Sequence, residues 1–215
     1  MARAHVIGAG LSGLGAAVRL VELGHSVSLY DQSPQAGGRA RSYFDKKLGC
    51  EIDNGNHLMM AGNWAALWLM KAIGAEDQHM GPEEAVFPFM DMKTGKRWSI
   101  RFSEGRIPIW VFDKNNRVPG TKIWDYLPLA TMLLANDEKV VADYVPSSHP
   151  LYRDLVEPLC VAVVNAAPEQ ASARLLAEVM KETVFKGAGP SRPIIARNGL
   201  SDSFAKPALR FLEDR

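Results

Sequence analysis

Three glycines, Gly8, Gly10 and Gly13, stand at the spacing G-x-G-x-x-G directly after a short apolar run, Ala4 to Ile7. That spacing suits a phosphate-linked dinucleotide. The first glycine permits a tight turn, the second lets backbone approach a pyrophosphate, and the third lets a helix pack close to the preceding strand. The helix N-terminus at Leu11 and Ser12 offers free N–H groups and a positive dipole end to the phosphates. Asp31 can accept hydrogen bonds from a ribose diol, and it would repel a 2′-phosphate, which disfavours NADP. A second glycine-rich stretch follows, Gly37-Gly38-Arg39-Ala40-Arg41-Ser42. Its paired glycines let backbone lie close to another group, and its arginines offer fixed donors to phosphate oxygens. A solvated turn with two surface arginines is the alternative.

These residues need a β-α-β unit to position them. Ala4 to Ile7 reads as a buried parallel strand. From Leu11, apolar residues at Leu14, Val18 and Val21 give helical spacing, and Gly24 is placed to end that helix. Ser26 to Tyr30 alternates as a strand, with Asp31 at its end. Residues 62–75 read as a helix, its tryptophans Trp64 and Trp68 packed in a core. From Ala85 the pattern changes. Val86 to Met92 and Arg97 to Phe102 read as strands joined by a turn at Lys93 to Lys96, and Ile107 to Phe112 as a third strand. Ile123 to Ala135 reads as a buried helix, as a wall of an apolar channel, or as a surface that dips into a membrane interface. Helices are expected over Pro150 to Val164 and from Pro168, a residue suited to a first helical position, to about Phe185. Ala205 to Arg215 reads as a last helix.

The 215 residues, 47% hydrophobic and 23% charged, have the composition of a globular protein rather than a disordered or fibrous one. A net charge of +1 leaves no basic excess for a nucleic-acid backbone. Cys50 and Cys160 form no CxxC, which argues against a disulfide scaffold or zinc ribbon and fits a reducing, cytoplasmic setting. No metal site is expected. No apolar run reaches the roughly 18 residues of a membrane span.

The glycine motif, the strand-end acid and GGRARS together resemble the flavin amine oxidase and carotenoid desaturase superfamily. The resemblance implies FAD as cofactor, with Asp31 on the adenosine ribose and Gly38 and Arg39 against the phosphate region. Asp53-Asn54-Gly55-Asn56-His57 matches a D-x-G segment that lies beside the flavin ring in that superfamily, which places Gly55, Asn56 and His57 near the isoalloxazine. Without the resemblance, His57 reads as a satisfied histidine at a strand end. Within the superfamily, five segments resemble the hydroxysqualene dehydroxylases of bacterial hopanoid synthesis. They are Asp53 to Leu58, Val118-Pro119-Gly120-Thr121, Glu157-Pro158-Leu159-Cys160, Asn165 with Pro168 to Ser172, and Gly199-Leu200-Ser201.

The implied fold is α/β, a Rossmann-like FAD-binding βαβ domain with an inserted α+β substrate-binding region. Residues 1–82 are expected in the FAD-binding part, 83–192 in the substrate region and 193–215 at the start of a return to the FAD domain. The implied reaction replaces the hydroxyl of hydroxysqualene with hydrogen from reduced FAD, giving squalene. It requires an apolar path for a C30 chain and an acid to help the hydroxyl leave, for which His57 is the candidate. Peripheral contact with the inner face of the membrane is a further expectation. Another polyprenyl desaturase or amine oxidase is the rival enzyme, and a non-catalytic fragment the rival of another class. Such flavoproteins are about twice this length, and a later glycine-rich segment closes their cofactor site. The chain alone is therefore expected to hold FAD weakly or not at all, and a separate C-terminal half is a candidate partner.

Overall fold

The computed structural model describes residues 1–55 and 58–215. Two units emerge, Met1–Gly81 with Pro193–Arg215, and Pro82–Arg192. In the first, β1 (Arg3–Ile7) pairs in parallel with β2 (Ser26–Tyr30), Ile7 opposite Tyr30. Between them α1 (Leu11–Glu22) buries Leu14, Ala17 and Val18, the three-and-four spacing of one helix face. Gly24, at φ +82°, follows the last turn in the left-handed conformation that closes a helix. β1 is not the buried strand expected. Its residues alternate between half-buried and exposed, and Ile7 is 88% exposed. One face packs on α1; among the described residues the sheet has only these two strands.

The chain continues through an antiparallel hairpin, β3 (Ser42–Asp45) and β4 (Cys50–Asp53). β5 (Met59–Met60), α2 (Trp64–Ala72) and β6 (His79–Met80) follow. Leu69 and Met70 bury the C-terminal turns of α2. Trp64, expected in the core, opens the helix ahead of those turns and stays exposed.

The second unit begins with β7 (Val86–Met90) and β8 (Arg97–Arg101), an antiparallel hairpin. Asp91 organises its turn, accepting from the Lys93 N–H at 2.9 Å and the Thr94 hydroxyl at 2.8 Å. The expected third strand is instead a 3-10 turn, Ile109–Phe112. Adjacent Trp110 and Val111 both face the core, which strand alternation cannot achieve, and Pro108 before them has no N–H for a ladder. Ile123–Tyr126 forms another 3-10 turn leading into α3 (Leu127–Met132). A π-helical turn at Tyr152–Val156 precedes α4 (Glu157–Val164), which Asn165 ends at φ +53°. Asparagine tolerates that left-handed conformation better than most residues.

α5 (Ala173–Glu182) starts five residues later than Pro168 would have it. Residues before it are drawn into pairing with an earlier segment, Val141 N–H to Ala171 O and Ala173 N–H to Lys139 O. The Ser172 hydroxyl then caps α5 by accepting from Leu175 N–H. α6 (Ala188–Ser191) closes the unit. The chain returns to the first unit as β9 (Pro193–Ala196), which lies between β5 and β6, antiparallel to both. A π-helical turn at Ser201–Ala205 leads into α7 (Lys206–Glu213). Phe204, Leu200 and Ala208 join Leu14, Val18 and Met70 in one core. Burying a large apolar side chain contributes about 1.5–3 kcal/mol, so Phe204 makes the turn before α7 integral to this unit, and α7 adds Ala208 to the same core.

Candidate dinucleotide-binding site

The Gly8 to Gly13 turn has a distinct reason for each glycine. Gly8 lies at φ +100° and its N–H donates to Tyr30 O at 2.7 Å, which holds the turn against the end of β2. A Cβ on Gly13 would stand 1.7 Å from the Gly8 carbonyl oxygen, so α1 could not approach β1 with any larger residue there. A Cβ on Gly10 would meet no protein atom within 4 Å. Nothing in the protein demands glycine at that position; the open space in front of it does, if a ligand occupies it. No side chain caps α1 and no acid stands in its first turn, so the amides at Leu11 and Ser12 have no acidic competitor there.

The second glycine-rich stretch is seated on the first. Gly37 N–H donates to Ala9 O at 2.7 Å, and Gly10 and Gly37 form a parallel bridge. Gly37 and Gly38 have φ of +106° and +58°, and a Cβ on Gly38 would stand 3.2 Å from Gly10 Cα. This excludes the free solvated turn. The Arg39 carbonyl accepts from Asn54 Nδ2 at 3.3 Å, while its side chain is exposed and has no protein hydrogen-bond partner among the described residues. Arg41 is turned the other way, donating to Ser33 Oγ at 3.3 Å.

Asp31 sits where β2 ends, its carboxylate accepting from Ser33 N–H at 2.7 Å and Ala9 N–H at 2.6 Å. Those two amides, Ser33 first, hold its pKa below the usual carboxylate value. An ionised carboxylate has about four acceptor sites, so two bonds leave capacity for a diol. The residues therefore fit a dinucleotide: an open cradle at Gly10, helix amides beside it, an exposed arginine and an ionised acid.

The D-x-G segment is fastened from behind. Asp53 Oδ1 accepts from the Ser42 hydroxyl at 2.7 Å and from Leu200 N–H at 2.8 Å. Ser42 N–H donates to Ser201 Oγ at 2.7 Å, and Ser201 N–H donates to Ser42 Oγ at 3.0 Å. Gly199, at φ +109°, is required because a Cβ would stand 2.8 Å from Ser42 Oγ and 3.1 Å from Asp53 Oδ1. Asn54 N–H donates to Arg41 O at 2.8 Å, which ties this turn to the GGRARS stretch. Asp53 is thus a bracket rather than a free acid. Gly55 is half-buried beside it, and Asn56 and His57 lie outside the described residues. Sequence reasoning missed Ser42 and Ser201 as partners, although it singled out both segments that carry them.

In the second unit, Phe89 and Trp98, stacked with centroids 5.6 Å apart, share an open cleft of about 470 Å³ with Pro158 and Val161. The Asp91–Arg153 ion pair lies at its edge.

Residues 6–70 match the NAD(P)-binding Rossmann-like domain family. Beyond it, the chain is 46% identical over 211 residues to a hydroxysqualene dehydroxylase of Sinorhizobium fredii, covering 98% of this chain and 51% of that one. Over nearly its whole length the chain is similar to part of a hydroxysqualene dehydroxylase. A Zymomonas mobilis protein of the same name is 45% identical over 215 residues, all of this chain and 52% of its own. The chain spans about half the length of the curated relatives it matches. An oxidoreductase from Methanosarcina mazei superposes over 100% of this chain and 49% of its own, with a TM-score of 0.67 at 17% identity, a likeness of fold.

Proposed function

We propose that this chain binds FAD and serves the reductive removal of the hydroxyl of hydroxysqualene, giving squalene. The observation that carries the reading is the 46% identity to a hydroxysqualene dehydroxylase over 211 residues, which runs through both units rather than the Rossmann-like part alone. The cradle at Gly10 supports a dinucleotide, and the D-x-G segment favours FAD over a nicotinamide. When bound, the reduced flavin supplies a hydride.

This chain's own residues would do the rest. Leu11 and Ser12 amides and the Arg39 guanidinium hold phosphates, Asp31 the ribose, and Gly38 keeps the wall thin. Asp53 is fixed by Ser42 and Leu200, and Gly55 and Asn56 are the proposed neighbours of the ring. His57 is the proposed acid, giving its proton to the departing hydroxyl, which leaves as water. Hydroxysqualene is the proposed substrate, and a chain equivalent to the other half of its relatives a proposed partner. We place the reaction in the cytoplasm.

Anaerobic incubation of hydroxysqualene with the chain and reduced FAD, with and without the other half of the Zymomonas relative, tests this. Squalene is the expected product in at least one mixture. Desaturation of phytoene in parallel incubations with oxidised FAD, with hydroxysqualene untouched in both mixtures, would transfer the chain to the polyprenyl desaturases. His57→Gln should lower turnover with FAD retained; unchanged turnover removes His57 from the mechanism.

A further inference from the structure

The 3-10 turn at Ile123–Tyr126 and α3 bury one side and expose another of the same character. Tyr126, Leu129 and Met132 face the core, whereas Trp124, Leu127 and Leu134 are 78%, 60% and 90% exposed. Trp124 lies in the 3-10 turn, Leu127 opens α3 and Leu134 follows its end, at spacings of three and seven residues. The neighbouring turn repeats the pattern. Trp110 packs edge-on against Tyr126, centroids 5.4 Å apart, while Ile109 and Phe112 on either side of it point to solvent, with Ile107 just before. Six large apolar side chains are thus exposed on two adjoining turns, where scattered single residues are the norm for a soluble surface.

The charges around them lean positive, with Glu104 and Glu138 exposed and outside any ion pair among the described residues. Arg106, Lys114 and Lys122 are exposed, and among the described residues none of them forms an ion pair. The nearby aspartates are engaged locally: Asp113 accepts from Asn115 N–H and Asn116 Nδ2, Asp125 from Lys122 N–H, and Asp137 pairs with Arg174. An apolar face whose rim carries more unpaired cations than unengaged acids, with a tryptophan two residues from a lysine, matches the headgroup boundary of an anionic bilayer. No helix among the described residues is long and apolar enough to cross a membrane.

We propose that this face docks on an anionic lipid surface, Trp124, Leu127 and Leu134 entering the headgroup boundary and Lys114 and Lys122 meeting lipid phosphates. Its purpose rests on the hydroxysqualene reading, since a C30 substrate resides in lipid and has to be collected there. Binding itself needs neither substrate nor flavin, so it fails or stands apart from that reading.

Sedimentation with phosphatidylcholine vesicles containing about 30% phosphatidylglycerol tests it. The chain should partition into these vesicles at least about tenfold better than a Trp124→Ser, Leu127→Ser, Leu134→Ser variant. Lys114→Glu with Lys122→Glu should weaken binding about fivefold or more, as should high salt. All these side chains are exposed, so circular dichroism and thermal midpoint should match the parent. Equal binding by parent and triple variant, or parent binding indifferent to vesicle charge, would overturn the proposal. So would a parent that ignores vesicles but self-associates through these residues in gel filtration, which would assign the face to a second copy.

Discussion

Ser42 and Ser201, 159 positions apart, exchange two hydrogen bonds, each backbone N–H donating to the other's hydroxyl oxygen. Both residues are buried, and the Ser42 hydroxyl spends its one proton on Asp53. The pair fastens the GGRARS and D-x-G segments to the turn that starts the final helix. Ser42→Ala and Ser201→Ala should each cost about 1–3 kcal/mol, because each leaves a buried N–H without a partner. The double variant should cost less than the sum by at least about 0.5 kcal/mol in urea unfolding. Strict additivity would show that the two serines do not act together.

Gly13→Ala and Gly10→Ala should separate a packing glycine from a ligand glycine. The first sets a Cβ 1.7 Å from the Gly8 carbonyl and should destabilise by about 1–3 kcal/mol or more. The second meets no protein atom within 4 Å on a backbone any residue can adopt, so its thermal midpoint should stay near the parent's. Its affinity for FAD or an adenine dinucleotide, read by fluorescence titration, should nevertheless fall. An affinity equal to the parent's would place the phosphates elsewhere.

Cys160 and Cys50 should differ sharply toward iodoacetamide. Burial pushes the Cys160 thiol up to about 11, with Glu169 adding to the shift. At about pH 8 its thiolate is then roughly one part in a thousand. Cys50 is exposed. Mass spectrometry should find Cys50 alkylated first, with Cys160 modified only after denaturation.

Acid should loosen the second unit's hairpin turn through Asp91. The Lys93 amide and the Thr94 hydroxyl, helped by Arg153, lower its pKa from 3.8 to about 2. A depressed folded pKa means its contribution is fully present above about pH 4 and is lost as pH falls through 2. Asp91→Asn should flatten the dependence of unfolding midpoint on pH in that window; an unchanged slope would assign the acid loss to other carboxylates.

Alkali should act through Tyr152. Its hydrogen bond to Glu169, with burial second, raises its pKa from 10.0 to about 12. A raised folded pKa means the contribution is whole below about pH 10 and lost as pH rises through 12. Tyr152→Phe should remove that part of the alkaline decline, measured by urea midpoints across the range.

The β-α-β unit was legible because its signals are local: glycine spacing, a helical stripe from Leu14 to Val18 and an acid at the strand end all sit within 31 residues. Likeness to the hydroxysqualene dehydroxylases was legible from short segments that carry no chemistry by themselves. The tertiary structure decided what depends on distant partners. Pairing of the Ala171 segment with the Lys139 segment moved the start of α5 from Pro168 to Ala173, and burial of adjacent Trp110 and Val111 turned an expected strand into a 3-10 turn. The exposure of Trp64 and Trp124 and the bracket from Ser42 to Ser201 likewise follow from which surfaces meet. Spacing in sequence sets which residues share a face, but only packing decides whether that face meets another element or solvent.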